Sequence, residues 1–238
     1  METQRHAPPS TVTDDGRACS CSTSSTSCAS NTDPSQIASD PEILFRSLAG
    51  EWRARRTIRH LGSKSKGVDG IFGGTASFYL RAPTADEPEE GMQEYLYHEH
   101  GTFTTSTGAS FPAQMKYIYR YHPMSRRISV WRVKPGASVA PPNAGEVENW
   151  FHDIILTTSS ELQGSAWFTD YRRAGDCIFK GSEHLCVRDL YKPFYKFCFG
   201  GDELVEFGIG YEVSGPGKDY TSEAWFMRPP ANGLSPQM

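Results

Sequence analysis

From residue 113 to 122 the chain alternates. Ala113, Met115, Tyr117, Tyr119 and Tyr121 fall on one parity, and Gln114, Lys116, Arg120 and His122 on the other, with only Ile118 out of step. Successive side chains of an extended strand point to opposite faces, so this pattern predicts a strand with one face on a core and the other in water. Similar runs occupy 51–60, 70–80, 93–103, 127–134, 146–157, 163–173, 177–200 (broken in the middle), 203–213 and 218–228. Turn-forming residues separate them, as at Pro123–Ser125, Gly200-Gly201-Asp202 and Gly215-Pro216-Gly217. One short helix precedes the strands, with Asp40 as N-cap, Pro41 at its first position and an apolar stripe of Ile43, Leu44 and Leu48 ending at Gly50. No later segment reads as a helix of comparable clarity. About nine or ten short strands after one helix define an all-β fold. A closed antiparallel barrel is expected over a sandwich, because closure removes the exposed edges of adjacent, meander-like strands.

Composition locates the barrel within the chain. Hydrophobic residues are 37% of the sequence, yet aromatics are 12%. The deficit lies at one end: between Met1 and Ile37 the only aliphatic side chain larger than Ala is Val12, and Ser and Thr dominate. Such a segment buries too little apolar surface to offset its ordering entropy. The expected organisation is a disordered tail over 1–39, a barrel domain over 40–228 and a second disordered tail over 229–238. The first tail has no apolar run of the roughly 7–15 residues that a signal peptide needs. No run approaches the ~20 apolar residues of a membrane span. Cys19, Cys21 and Cys28 lack the paired spacing of zinc sites and read as solvated thiols, which points to a cytoplasmic protein. With 24 Lys+Arg against 28 Asp+Glu, the chain lacks the basic surplus of nucleic-acid binders.

A barrel of this strand number has an interior wide enough for side chains or one small ligand. Aromatic rings on inward positions would line such a pocket with large contact area and little rotamer freedom. Tyr95, Tyr97, Tyr117, Tyr119, Phe151 and Phe168 are assigned to that wall. Arg132, Asp153 and Cys186 are the polar candidates for ligand contact. Asp153 shares a parity with Phe151 and Ile155, so His152 is expected to point outward. Glu99 shares the parity of Tyr95 and Tyr97, where desolvation would favour a general base. The competing reading pairs Glu99 with Arg56 or Arg132 inside the barrel. His184 and Cys186 lie two apart and share a strand face. An acid/base histidine, a Cys–His nucleophile and half of a zinc site compete there with a structural histidine beside a small thiol. His98 and His100 alternate onto the outer face. No P-loop, dinucleotide fingerprint or G-x-S-x-G elbow occurs, so no cofactor and no metal are assigned.

Leu48-Ala49-Gly50-Glu51-Trp52 places Gly-x-Trp at the junction of helix and first strand. This resembles the start of a lipocalin or other calycin barrel. The resemblance implies that Trp52, entered through Gly50, closes one end of the barrel and packs on a basic residue from the last strand. Arg228 is the matching position. Further on come Gly74–Phe78, Tyr97–Gly101, His184–Tyr191 and Gly215–Tyr220, in that order. Together these resemble an uncharacterised calycin-like family of bacteria and fungi that carries H-x-C-x-x-D-x-Y and G-P-x-K-D-Y. The resemblance spans about residues 44–228. It implies the fold and no agreed activity. The chain departs from it in the Ser/Thr-rich tail and in longer loops at 81–92 and 135–146. Asp219, after the Gly-Pro-Gly turn, is expected to accept backbone hydrogen bonds and fix the hairpin.

The expected partner is therefore one small hydrophobic or aromatic molecule, with no nucleic acid and no membrane. The protein would be a binding barrel, or a cofactor-free isomerase or cyclase of secondary metabolism using His184 and Glu99. A haem-binding barrel of the nitrobindin type, with His184 as axial ligand, and a purely structural or interaction module are the alternatives.

Overall fold

The computed structural model describes residues 40–62, 67–134, 146–156 and 177–229. The tail over 1–39, residues 230–238 and the strand expected at 163–173, with Phe168, lie outside the described residues.

The capping signals at the start act as expected, but of the expected apolar stripe Ile43 is exposed, and Phe45 is buried beside Leu44 and Leu48. Asp40 caps α1 (Pro41–Ser47): its carboxylate accepts from Glu42 N at 2.9 Å and Ile43 N at 3.2 Å, with Pro41 in the first turn. Ten strands then close into an antiparallel barrel. They are β1 (Gly50–His60), β2 (Gly70–Arg81), β3 (Gln93–Thr105), β4 (Ser110–His122), β5 (Arg127–Val133), β6 (Val147–Ile155), β7 (Cys177–Gly181), β9 (Asp189–Gly200), β10 (Glu203–Ser214) and β11 (Asp219–Met227). Neighbours in sequence are neighbours in the sheet, and β11 returns to pair with β1. The eleventh strand, β8 (His184–Cys186), pairs with β9 beyond the end of β7, so the expected run at 177–200 is three strands.

Register fixes which side chains face the lumen. Directly paired residues share a face, and one inward ring runs Arg56, Phe72, Phe103 and another Ala76, Glu99, Met115. The inward parity of β3 and β4 is the one the alternation predicts. The exception is β6. His152 pairs with Val130 while Trp150 pairs with Trp131, so Phe151 is an extra residue, a β-bulge. The bulge breaks strict alternation. Phe151 and His152 are both buried, and Asp153 is carried to the outer face, where Arg127 Nη1 lies 3.0 Å from its carboxylate. The expectations of an inward Asp153 and an outward His152 are both reversed for this reason.

One end of the barrel is plugged. Leu44, Phe45 and Leu48 of the helix region are buried, and the Phe45 ring stacks on Tyr95 at 4.5 Å. Trp52 is fully buried and donates from Nε1 to Leu48 O at 2.9 Å. Arg228 covers it, with its guanidinium carbon 3.8 Å from the indole centroid and donor contacts to Ala49 O at 2.7 Å and Ser47 O at 2.8 Å. Gly50 adopts φ +95°, and a Cβ there would stand 3.1 Å from Arg228 Nη1. Both reasons favour glycine at this junction.

Arg228→Ala removes the stack and two charge-assisted bonds. It should cost about 2–3 kcal/mol, read as a lower urea midpoint. Arg228→Lys should restore less than half of this, since an ammonium lacks the planar fork. An unchanged midpoint in Arg228→Ala would show that the plug stands without it.

Candidate functional site

Opposite the plug, the lumen holds a cavity of about 230 Å³. For scale, a cavity of about 150 Å³ lined by apolar side chains takes up benzene. β1 carries Arg56 and Ile58 to its wall, β3 and β4 carry Tyr97, Tyr117 and Tyr119, and β10 carries Ile209 and Tyr211. Val68 and Met115, both partly open to solvent, stand at its margin with His60. The bulge residue Phe151 adjoins two tyrosine rings. It is nearly parallel to Tyr117 (4°, centroids 5.9 Å apart) and to Tyr211 (22°, 5.9 Å).

The polar heart of the lumen is an ion pair. Arg56 Nη2 and Nε reach the two Glu99 oxygens at 2.6 and 3.3 Å, and the Tyr97 hydroxyl donates to the same carboxylate. Arg56 Nη1 lies 3.4 Å from Ser222 Oγ. Burial alone would lower the Arg56 pKa, but the adjacent Glu99 charge raises it above the ordinary value. Burial, reinforced by Glu99, holds the Tyr97 hydroxyl well above its usual range, and burial pushes Tyr117 up to about 12. These phenols are neutral hydrogen-bonding groups at any physiological pH. Behind the cavity, His152 Nε2 shares a hydrogen bond with the Tyr195 hydroxyl, which is bonded in turn to Tyr119 and Tyr211. Burial, and secondarily the charge of His184, lowers the His152 pKa to about 3.

The two late sequence motifs interlock beside the mouth. Asp189 Oδ1 accepts from Gly217 N at 3.0 Å and Lys218 N at 3.2 Å, and Lys218 Nζ meets the Tyr191 hydroxyl at 2.6 Å. A Cβ on Gly215 would lie 2.3 Å from the same Asp189 oxygen. The carboxylate that fixes this hairpin is thus Asp189 and not Asp219. The Asp219 backbone oxygen accepts from Leu61 N at 3.0 Å. Tyr191 and Tyr220, from the two motifs, both reach the cavity wall.

The sequence-assigned residues are brought together only in part. Tyr97, Tyr117, Tyr119 and Phe151 line the cavity. Tyr95 faces inward but packs in the plug, against Phe45 and Phe78. Glu99 is buried beneath the wall in its pair with Arg56. His184 stands behind Phe151, edge-on at 5.2 Å, and burial followed by the Arg132 charge lowers its pKa. Cys186 is a half-buried free thiol to which Arg132 Nη1 points at 3.3 Å, while Arg132 Nε lies 3.6 Å from Glu148. His98 and His100 lie side by side on the outer face, ring centroids 5.2 Å apart and tilted by 35°. Among the described residues no group of three or more His, Cys, Asp or Glu side chains could hold a metal ion, and no helix is long and apolar enough to cross a membrane. Tyr211 and Ile209 went unassigned, although Phe207, Ile209, Tyr211 and Val213 alternate as clearly as β4 does. Ser222 and His152 carried no comparable signal, whereas Arg56 is one of the partners the competing reading gives Glu99, and that pair is present.

The fold and cavity define a closed β-barrel with an aromatic lumen. The chain belongs to DUF6314, a family of unknown function, whose pattern matches residues 48–228. No curated protein matches it. Among solved structures it is similar to the S-type phycobiliprotein lyase CPES from Guillardia theta, at 12% identity, covering 83% of this chain and 98% of that one, with a TM-score of 0.47. It is also similar to a DUF1329 family protein from Desulfovibrio piger ATCC 29098, at 12% identity, covering 86% and 96%, with a TM-score of 0.23.

The buried imidazole has a consequence for stability. Folded, His152 stays neutral down to about pH 3, whereas the unfolded chain protonates it near the ordinary value of 6.5. Stability should therefore be undiminished above pH 6.5. It should fall as pH drops toward 3, with a slope of up to about 1.4 kcal/mol per pH unit from this group. His152→Gln, which cannot titrate, should flatten urea midpoints measured between pH 6.5 and 4. An identical slope in the variant would assign the loss elsewhere.

Proposed function

We propose that the lumen binds one small, flat aromatic molecule. The carrying observation is the cavity of about 230 Å³ walled by tyrosine and phenylalanine rings, plugged at one end and reached past Val68 and Met115 at the other. An apolar concavity with a few convergent polar groups is the usual form of a ligand site. The volume lies below the roughly 300–1,000 Å³ of drug-sized pockets, which suits one or two fused rings better than a haem macrocycle. The finer reading, cofactor-free isomerisation or cyclisation by Glu99 and His184, has less support. Both Glu99 oxygens are engaged by Arg56 and Tyr97, and His184 is not among the residues lining the cavity, its ring standing edge-on to Phe151 at 5.2 Å.

Isothermal titration with 2-naphthol should show saturable 1:1 binding. Ile209→Trp, which fills the cavity from β10, should weaken it at least tenfold while the circular dichroism spectrum stays that of a folded barrel. Equal affinity in the filled variant would place the probe elsewhere and remove this reading.

A further inference from the structure

The charge state of the lumen says more about the ligand, granted the binding reading above. We infer that the cavity selects an uncharged aromatic molecule bearing a carbonyl or hydroxyl oxygen, anchored at Arg56 Nη1 and Ser222 Oγ, and that Glu99 is the residue that excludes aromatic carboxylates.

Arg56 carries the one guanidinium or ammonium group on the cavity wall among the described residues. A free arginine there would attract carboxylates through a planar fork. Here that fork is taken: Nε and Nη2 are committed to Glu99 at 3.3 and 2.6 Å. The charges of the pair cancel, and the Tyr97 hydroxyl occupies the Glu99 carboxylate further. An incoming anion at Arg56 would lose its hydration without meeting net positive charge from this pair, which is strongly unfavourable in a buried site. A neutral oxygen faces no such penalty. Arg56 Nη1 carries two N–H groups, and its contact to Ser222 Oγ is a long 3.4 Å, so donor capacity remains on the wall. Ser222 lines the same cavity and supplies a hydroxyl beside it. The ring of such a ligand would lie against the faces of Tyr117, Phe151 and Tyr211, whose planes are within 22° of one another where they meet.

The test compares 2-acetonaphthone with 2-naphthoate by isothermal titration at pH 7.5. Wild-type protein should bind the ketone at least tenfold more tightly. Glu99→Gln leaves the Arg56 charge uncompensated and should reverse the order, with 2-naphthoate now raising the melting temperature of the variant and not of the wild type. Equal affinities in the wild type, or an unchanged order in folded Glu99→Gln, would overturn the inference. Should Glu99→Gln fail to fold, the wild-type ratio and Ser222→Ala still decide: the serine variant should lose severalfold in ketone affinity, and no loss overturns the anchor. If 2-naphthol binds and neither other probe does, charge selection falls while ligand binding stands. If none of the three binds, both fall.

Discussion

A guanidinium and a carboxylate can sit among tyrosines inside a barrel only as a pair. Either one alone would carry a desolvation cost of several kcal/mol, and removing one partner of such a pair typically destabilises by about 3–5 kcal/mol. Arg56 and Glu99 come from β1 and β3, which flank β2, and meet on the inner face of that side of the barrel. Tyr97 and Ser222, from β3 and β11, complete the contacts. Four side chains on three strands thus set how closely this side of the barrel closes. They also set the polarity of the cavity above it, which holds charges but no net charge from this pair. The surrounding phenols stay protonated because burial opposes their ionisation, so the lumen is rich in hydrogen bonds and poor in titration.

The two ends of the barrel use opposite physics. At the plug, a cation stacks on an indole and donates to the carbonyls of Ser47 and Ala49, at and just past the end of α1, so one residue, Arg228, ties the helix end to the last strand. At the mouth, a carboxylate does the equivalent work for a turn. Asp189 takes the backbone N–H groups of Gly217 and Lys218, and Lys218 returns to Tyr191 on the strand that carries Asp189. The motifs H-x-C-x-x-D-x-Y and G-P-x-K-D-Y are therefore one device in space. Its aromatic members, Tyr191 and Tyr220, are what it presents to the cavity.

Much of this architecture is legible in the sequence because alternation is a local property. The inward parity of β3 and β4, the capped helix and the break within 177–200 follow from spacing and turn chemistry, and the Gly50–Trp52 junction is what the calycin resemblance implies. The errors share a cause as well. A bulge inserts one residue without any composition change, so Phe151 and His152 both turn inward and Asp153 is carried out to Arg127. Asp219 follows its turn directly and looked like the residue to fix it. The acceptor comes instead from Asp189, about thirty positions earlier, a pairing that no local pattern encodes. For Glu99, the inward face was readable, but whether it would be a free base or half of an ion pair depended on Arg56 arriving from another strand.

By itself, then, the sequence determined that strands would form, which faces most of them would bury, and that aromatic rings would crowd the inner one. Each of these is set by neighbours two residues away. Only the tertiary structure decided what those rings enclose. Closure brings β1, β3, β10 and β11 to one space, leaves about 230 Å³ unfilled, and pairs the buried charges. Volumes and charge compensation are sums over residues far apart in the chain, and no local spacing contains them.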